Sequence, residues 1–163
     1  MLVGCPPGKM GAMHATPRPH ERRLADTHAR LENDIDLWVA TAHPEGGAPG
    51  LVPLSFDWDG SDLLLATDRR SPAGRNMRDS GLVRLSLGEF RDVVMVDGSV
   101  AEVPLSDVPS ARWGAYAVST GWDPREAGPD YAAYVVTPLI IQAWRELPEL
   151  ADRTLMRDGR WLP

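Results

Sequence analysis

Cysteine is nearly absent from this sequence, since Cys5 is the only one among 163 residues. A single thiol cannot build a disulfide framework or a thiolate metal site within the chain. The four histidines, His14, His20, His28 and His43, are scattered and do not show the His-Glu-x-x-His spacing of a zinc enzyme. The composition therefore predicts no metal site, and it fits the reducing cytoplasm, where we expect the protein to reside.

Long apolar runs and an excess of positive charge are also missing. The opening residues, MLVGCPPGKMGAMH, are broken by glycine and proline, so they predict neither a secretory signal nor a membrane span. The formal net charge is -6, and no cluster of lysine or arginine alternates with aromatic residues. We therefore expect neither a membrane nor a nucleic acid as partner.

The common catalytic signatures are absent as well. The chain contains no Gly-x-Ser-x-Gly elbow, no phosphate-binding P-loop and no Gly-x-Gly-x-x-Gly turn, so hydrolase, nucleotidase and Rossmann-type functions lose their usual support. Its 43 % hydrophobic and 25 % charged residues are ordinary for a globular domain. We expect one domain, in which any catalysis is carried by a bound cofactor.

Helix and strand patterns divide the chain into three parts. Residues 1–19 are rich in glycine and proline without periodicity and predict a disordered tail, whereas His20 to Asn33 has the spacing of an amphipathic helix. Residues 20–146 are expected to form the domain, and 147–163 an arm. Strands are predicted over 35–42, 51–58, 63–67, 82–88, 92–103 and 131–144. A short helix is expected from Ser71 to Gly81, and another over 104–119.

The strands carry marks of an antiparallel barrel. In the second strand, Phe56 and Trp58 share an apolar face that should point inward, and Asp59-Gly60 favours a tight turn into the third strand. Gly98 predicts a bulge, and Pro138 must lie at an edge or a bulge because it has no N–H to donate. Since no βαβ units alternate along the chain, we expect a mainly β fold.

One stretch concentrates groups that can bind a phosphate. The segment LLLATDRRSPAGRNMRDS combines the hydroxyls of Thr67 and Ser71 with four arginines, an asparagine and a helix N-terminus. All of these groups can donate hydrogen bonds to an anion. The other interpretation is a solvated turn whose arginines face water, because helix starts commonly carry such caps. The residues alone leave both interpretations open.

A family resemblance covers nearly the whole chain, from about Arg30 to Leu162. The segments ATAHPEGGAPGLVPLSFDWDGSDLLLATDRRSPAGRNMRDSGLVRLSLG, VVMVDGSVAEV and VTPLIIQAWRELPELADRTLMRDGRWL resemble the pyridoxamine-phosphate-oxidase-like split barrels, especially their flavin/deazaflavin oxidoreductase branch. The resemblance implies a six-stranded antiparallel split β-barrel that forms a homodimer. It also implies FMN or coenzyme F-420 as cofactor, lying in a groove at the dimer interface.

The resemblance further implies which residues meet that cofactor. The ring would lie against Val52, Pro53, Leu54 and Ser55, and the phosphate end would be held by Thr67, Arg69, Ser71, Arg75 and Asn76. Trp144 and Trp161 would cover the ring from the partner subunit, and the other interpretation of each is ordinary packing in the core or the arm. Pro53 has a second interpretation as an ordinary edge-strand proline.

One position departs from the family pattern. Relatives often have lysine where this chain has Ala73, and loss of that cation weakens phosphate binding unless a neighbouring arginine replaces it. The implied function is hydride transfer between the reduced cofactor and a small organic substrate, with no catalytic side chain required. Two alternatives stay open on the same fold: a non-catalytic protein that binds a flavin, haem or related tetrapyrrole, and a barrel that has lost its ligand.

Overall fold

The computed structural model describes residues 16–163, which contain eight strands and three α-helices. The helices are α1 (His20–Asn33), α2 (Pro72–Ser80) and α3 (Ser110–Thr120). The strands are β1 (Asp36–Thr41), β2 (Gly50–Trp58), β3 (Leu63–Asp68), β4 (Leu82–Glu89), β5 (Asp92–Val103), β6 (Tyr131–Arg145), β7 (Thr154–Arg157) and β8 (Arg160–Trp161). No helix in this range has the length and apolar character needed to cross a membrane.

All the strands pair antiparallel in the order β3-β2-β1-β4-β5-β6-β7-β8. Strand β3 also pairs with β6, from Leu63 opposite Val136 to Asp68 opposite Tyr131. This second pairing closes β1 to β6 into a barrel, because the two outermost strands of that six-stranded sheet become neighbours. The predicted fold, a mainly β, six-stranded antiparallel barrel, is confirmed.

The core follows the two-residue alternation of the strands. Inward side chains fill the barrel, among them Val39, Phe56 and Leu85, each at most 2 % exposed. The predicted inward face of β2 is confirmed, since Trp58 packs against the same cluster as Phe56. A second cluster lies outside the barrel, where α3 covers the outer face of β3 with Trp113. Strand β3 is therefore buried on both faces.

The bend predicted at Gly98 is also confirmed. The register of β5 and β6 shifts between Asp97 and Gly98, and Pro138 lies opposite Gly98 at this irregularity. A Cβ atom at Gly98 would lie 2.7 Å from Val136 Cγ1 and 2.8 Å from the Thr137 carbonyl oxygen. Only glycine allows the two backbones to approach so closely, and the bulge accommodates a proline that cannot donate to the ladder.

The helices differ in how well local sequence predicts them. Helix α2 begins and ends as expected, since the Ser71 hydroxyl accepts a hydrogen bond from the Gly74 N–H at 3.0 Å and Gly81 ends the helix in the left-handed conformation. The predicted start of the helix expected over 104–119 is wrong. Val108 is extended, as a residue before proline prefers, so a short 3-10 turn precedes Pro109 and α3 begins at Ser110.

Residues 147–163, which were expected to form an arm, add strands β7 and β8 to the sheet of the barrel. Strand β7 pairs with the second half of β6, and Leu155 is fully buried in the barrel core. A strand of 15 residues leaves a long edge, and β7 covers part of it.

At the other end of the chain, residues 1–15 of the expected tail lie outside the described residues. Arg18, just after them, binds Glu149 through Nη2 and Oε2 at 2.8 Å.

Candidate functional site

The barrel is split between β2 and β3. These strands pair only where Phe56 to Trp58 lie opposite Leu65 to Leu63, and beyond that β3 continues along β6 to Asp68. The first six residues of β2, Gly50–Ser55, pair with β1 alone. We call the opening between them the β2–β3 wedge. It is bordered by Gly50–Ser55, by the end of β3 at Thr67 and by the start of α2.

The backbone of β2 presents unpaired polar groups to this wedge. The Phe56 N–H donates to the Ile35 carbonyl at 3.0 Å, which places the backbone groups of Phe56 on the side of β1. Because these groups alternate along an antiparallel strand, those of Leu51, Pro53 and Ser55 point away from β1. The Ser55 carbonyl accepts a hydrogen bond from the Tyr116 hydroxyl at 3.1 Å. The wedge is therefore lined by the open backbone edge of Leu51 and Pro53.

This edge explains why a proline is tolerated in β2. A proline pointing its nitrogen towards β1 would remove a ladder bond, whereas Pro53 points it to the open side. The side chains of the four residues expected at a cofactor ring divide between two faces. Val52 and Leu54 pack against the core, while Pro53 is exposed and the Ser55 hydroxyl donates to Asp36 Oδ1 at 2.6 Å.

The start of α2 forms the second border of the wedge. Thr67 lies at the end of β3 opposite Ala132, and the Ser71 hydroxyl is engaged as the helix cap. Asn76 donates through Nδ2 to the hydroxyl of Thr41 at 3.1 Å. Thr41 is buried at the end of β1 and was not predicted from the sequence, where a threonine closing a strand carries no signal of its own. This bond joins α2 to the β1–β2 side of the wedge.

Four arginines follow β3, and most are already paired with a carboxylate. The pairs are Arg69 with Glu102 (Nε to Oε1, 3.7 Å), Arg70 with Asp130, and Arg78 with Asp79 (Nε to Oδ1, 2.9 Å). Arg75 is exposed, donates to the Arg70 carbonyl and forms no ion pair within residues 16–163. The two interpretations of this stretch thus apply to different residues. Three arginines are paired with carboxylates in the turn, whereas the charge of Arg75 is not neutralised by any carboxylate within residues 16–163.

Arg69 belongs to a chain of polar contacts at the end of β3. The Tyr134 hydroxyl donates to Glu102 Oε2 at 3.1 Å, and Glu102 Oε1 lies 3.7 Å from Arg69 Nε, which is an ion-pair distance too long for a hydrogen bond. Burial, together with the neighbouring Glu102 charge, raises the pKa of Tyr134, so its hydroxyl stays protonated as the donor. This chain ties down the segment from which α2 begins, and it occupies Arg69 with a protein carboxylate.

The first turn of α2 is packed tightly against the barrel. Ala73 is 6 % exposed, and a Cβ atom at Gly74 would lie 2.5 Å from the Asp68 carbonyl oxygen and 2.9 Å from the Tyr134 hydroxyl. Ala73 supplies a buried methyl group and no charge.

Trp144 is not brought to the wedge within one chain. It lies on β6 opposite Val93, beyond the part of β6 that pairs with β3, and the Arg153 guanidinium lies 5.5 Å from its ring centre. Trp161 packs on the barrel core and against His28, with ring centres 4.4 Å apart. Across residues 16–163, no group of three histidine, cysteine or acidic side chains is arranged to hold a metal ion.

Known structures share this architecture. No protein-family profile and no curated protein matches the sequence. The chain is similar to an F420 reductase, with 22 % identity over 70 % of this chain and 94 % of that one, at a TM-score of 0.59. It is also similar to HutZ, the haem storage protein of Vibrio cholerae, with 12 % identity over 78 % of this chain and 96 % of that one, at a TM-score of 0.63.

A third similar structure is a Clostridium acetobutylicum protein related to general stress protein 26, of the pyridoxinephosphate oxidase family. It has 18 % identity over 78 % of this chain and 91 % of that one, at a TM-score of 0.60. Likeness at such low identity establishes the fold and leaves the reaction open. The closed six-stranded barrel, its split between β2 and β3 and these three likenesses agree: the chain has the split β-barrel fold of the pyridoxamine-phosphate-oxidase-like proteins.

Proposed function

We propose that the protein is an oxidoreductase that binds FMN or the deazaflavin coenzyme F-420 in the β2–β3 wedge. The observation that carries this proposal is an unpaired backbone edge at Leu51 and Pro53 beside a helix whose Arg75 has no carboxylate partner within residues 16–163. A flavin-type ring carries donors and acceptors that suit a free strand edge, and its phosphate suits a free guanidinium.

Each border of the wedge has a distinct task in this proposal. The Leu51 and Pro53 backbone orients the ring, and the Ser55 carbonyl is held in place by Tyr116. Arg75 binds the phosphate, and Asn76 is oriented for the same group by its bond to Thr41. When bound, the cofactor supplies the hydride chemistry. The chain itself then needs only to position the ring and exclude water, which agrees with the absence of a catalytic motif.

Haem is the main alternative, since HutZ shares the fold. Haem iron in proteins is commonly held by a histidine or another axial ligand. His20 bonds the Leu162 carbonyl through Nε2 at 3.2 Å, His28 packs on Trp161, and His43 accepts from the Glu45 N–H through Nδ1. Of the histidines in residues 16–163, none borders the wedge, so the wedge favours a flavin-type cofactor over haem.

A homodimer completes the proposed site. The outer faces of β1 and β2 expose Trp38 at 50 % and Leu51 at 61 %, beside the open edge of β2. A second subunit docked on this face would cover the wedge and exclude water from the ring. Trp144 of such a partner is the aromatic residue that the resemblance implies for this role.

The proposal is tested by titrating cofactor-free protein separately with FMN, coenzyme F-420 and haemin, followed by absorption and fluorescence. We expect one of the two flavin-type cofactors to bind with a Kd of about 10 μM or lower, which corresponds to about 7 kcal/mol of binding free energy. Binding of haemin alone would support the storage alternative. If neither flavin-type cofactor binds below high-micromolar concentration, the proposed function is wrong.

The same titration of the Arg75→Ala variant tests whether the phosphate of the cofactor binds at Arg75. Loss of a charge-assisted bond to phosphate is expected to cost at least about 1.5 kcal/mol of binding free energy, or roughly tenfold in Kd. Arg78→Ala is the matched control, because Arg78 lies one turn further along α2 and is paired with Asp79. Equal losses in the two variants, or no loss in Arg75→Ala, would remove Arg75 from the site.

A further inference from the structure

A cavity of about 690 Å³ lies between α1 and the last segment of the chain. One wall is formed by Pro19, His20 and Arg23 at the start of α1. The opposite wall includes Asp152, Arg157 and Leu162. None of the residues that line this cavity borders the β2–β3 wedge.

Arg23 is buried in this wall. The residue is 5 % exposed, its Nη1 donates to the Asp152 carbonyl at 2.5 Å, and its Nε has no hydrogen-bond partner among the described residues. Within residues 16–163 its guanidinium forms no ion pair. A buried charge is costly unless it is paired. The cavity is therefore the place where a counter-charge for Arg23 would bind.

Two of the neighbouring carboxylates are already engaged by other arginines, and a third, that of Asp152, is exposed and forms no ion pair within residues 16–163. Arg18 binds both oxygens of Glu149, with Nε to Oε1 at 3.0 Å and Nη2 to Oε2 at 2.8 Å. Asp26 is paired with Arg18 at 2.9 Å and with Arg22 at 2.8 Å. The Asp152 side chain is exposed, and Arg157 adds another positive charge to the lining. The inner part of the cavity thus keeps the unneutralised charge of Arg23.

The N-terminus of α1 adds hydrogen-bond donors at the same cavity. Pro19 is the N-cap residue and makes no side-chain cap bond. The first N–H groups of a helix have no partner within the helix, and the helix dipole makes this end attractive to anions. Arg23 and the helix end thus offer donors from two directions. A tetrahedral oxyanion can accept from both.

We propose that this cavity binds a phosphate group, either as free phosphate or as part of a small phosphorylated metabolite. Arg23 holds the oxyanion from the buried end, and the N–H groups at the start of α1 bind it from the side. A volume of about 690 Å³ leaves room for an organic portion beyond the phosphate. This second site does not depend on the proposed cofactor function, because it shares no residue with the wedge.

The test uses cofactor-free full-length protein and titrates sodium phosphate and glycerol 3-phosphate by calorimetry, with sodium chloride at matched ionic strength as the reference. We expect binding of at least one probe, and at ten times its Kd a rise in Tm of about 3 °C. Arg23→Met keeps an unbranched buried side chain and removes the charge, and it is expected to bind at least about tenfold more weakly. Arg22→Met, an exposed neighbour paired with Asp26, should bind as the wild type does.

The probes and variants also separate the possible sources of binding. Tighter binding of glycerol 3-phosphate than of phosphate would identify an organic phosphate as ligand, and equal binding would identify the phosphate group alone. Wild-type affinity in Arg23→Met, or no binding beyond the chloride reference, overturns the proposal. So does loss of binding in Arg75→Met, since the phosphate would then occupy the wedge. If Arg23→Met does not fold, Arg23→Gln decides: it keeps a hydrogen-bonding side chain but removes the charge, and unchanged affinity contradicts the proposed role.

Discussion

Among single residues, Glu149 joins the start of the described chain, at Arg18, to the end of β6, at Arg145. Its carboxylate accepts hydrogen bonds from the Arg18 side chain, from the Arg18 N–H at 2.7 Å and from the Arg145 N–H at 2.5 Å. Burial by itself would raise the pKa of Glu149, but the hydrogen bonds from Arg18 and Arg145 outweigh it and lower the pKa to about 2. Glu149 thus stabilises the folded chain in its ionised form.

The stability of the protein should therefore fall in acid through Glu149. A group whose pKa is lower in the folded than in the unfolded chain contributes above its unfolded pKa, here 4.5, and the contribution is lost as the pH falls towards 2. Between pH 6 and pH 3 we expect a loss of about 2 kcal/mol from this group. Urea unfolding at both pH values measures it.

Glu149→Gln isolates the contribution of this carboxylate. The variant should have a lower free energy of unfolding than the wild type at pH 6. The difference should be about 2 kcal/mol smaller at pH 3, because protonation of Glu149 then removes part of its stabilising effect in the wild type. Glu45→Gln, in the exposed β1–β2 hairpin, should keep the wild-type pH dependence. A pH dependence in Glu149→Gln equal to that of the wild type would contradict the assignment.

At the scale of elements, α2 is positioned by a glycine rather than by its caps alone. Ser71 and Gly81 set where the helix begins and ends, but Gly74 sets how closely its first turn approaches β3 and β6. The Asp68 carbonyl and the Tyr134 hydroxyl occupy the space that a side chain would need. The position of Arg75 relative to the β2–β3 wedge therefore depends on the residue before it.

Gly74→Ala should displace α2 and affect both stability and cofactor binding. A methyl group forced against backbone is expected to destabilise the fold by about 1–3 kcal/mol. Gly114→Ala is the matched control, because Gly114 lies within α3 with no atom within 4 Å of an added Cβ, and alanine there should stabilise the helix by up to about 1 kcal/mol. Thermal unfolding compares the two. Equal changes in Tm of the same sign for Gly74→Ala and Gly114→Ala would show that the packing around Gly74 does not exclude a side chain.

At the scale of the whole molecule, one face of the barrel is apolar and uncovered. Trp38 lies between Pro53 of β2 and Ser86 of β4, and Leu51 and Leu82 on the same strands are each 61 % exposed. Arg84 and Ser86 interrupt these apolar side chains, and an exposed tryptophan with a polar rim is typical of an interaction site. The face borders the open edge of β2, so a partner bound there would change access to the wedge.

We predict that the protein is a dimer through this face. Light scattering should give twice the chain mass of 17.8 kDa, and Trp38→Glu should give the monomer mass, because a charge would be buried at the interface. Val118→Glu, at an 88 % exposed position on α3, should stay dimeric. A monomeric wild type, or a dimeric Trp38→Glu variant, would contradict this prediction. In that case the wedge would have to function without a second subunit.

Local chemistry explains which parts of the fold were predictable. The cap at Ser71, the turn at Asp59-Gly60 and the alternation in β2 each depend on residues a few positions apart, and each predicts its element correctly. The start of α3 lies later than the helical pattern predicts, because Val108 precedes Pro109 and is extended. The segment expected to be an arm became β7 because the long edge of β6, formed far away in sequence, was available to pair with it.

The amino-acid sequence by itself determined the six barrel strands, the turns, the bulge at Gly98 and the segment from which a phosphate site would be built. Only the tertiary structure decided which groups of that segment are free. It paired Arg69 with Glu102 and Arg70 with Asp130, left Arg75 without a carboxylate partner in the part of the chain that the structure describes, and opened the edge of β2 beside it. It also buried Arg23 without a counter-ion from residues 16–163. The reason is physical: turns and caps are set by adjacent residues, whereas the partner of a charge or a strand edge is set by what the closed barrel brings near it.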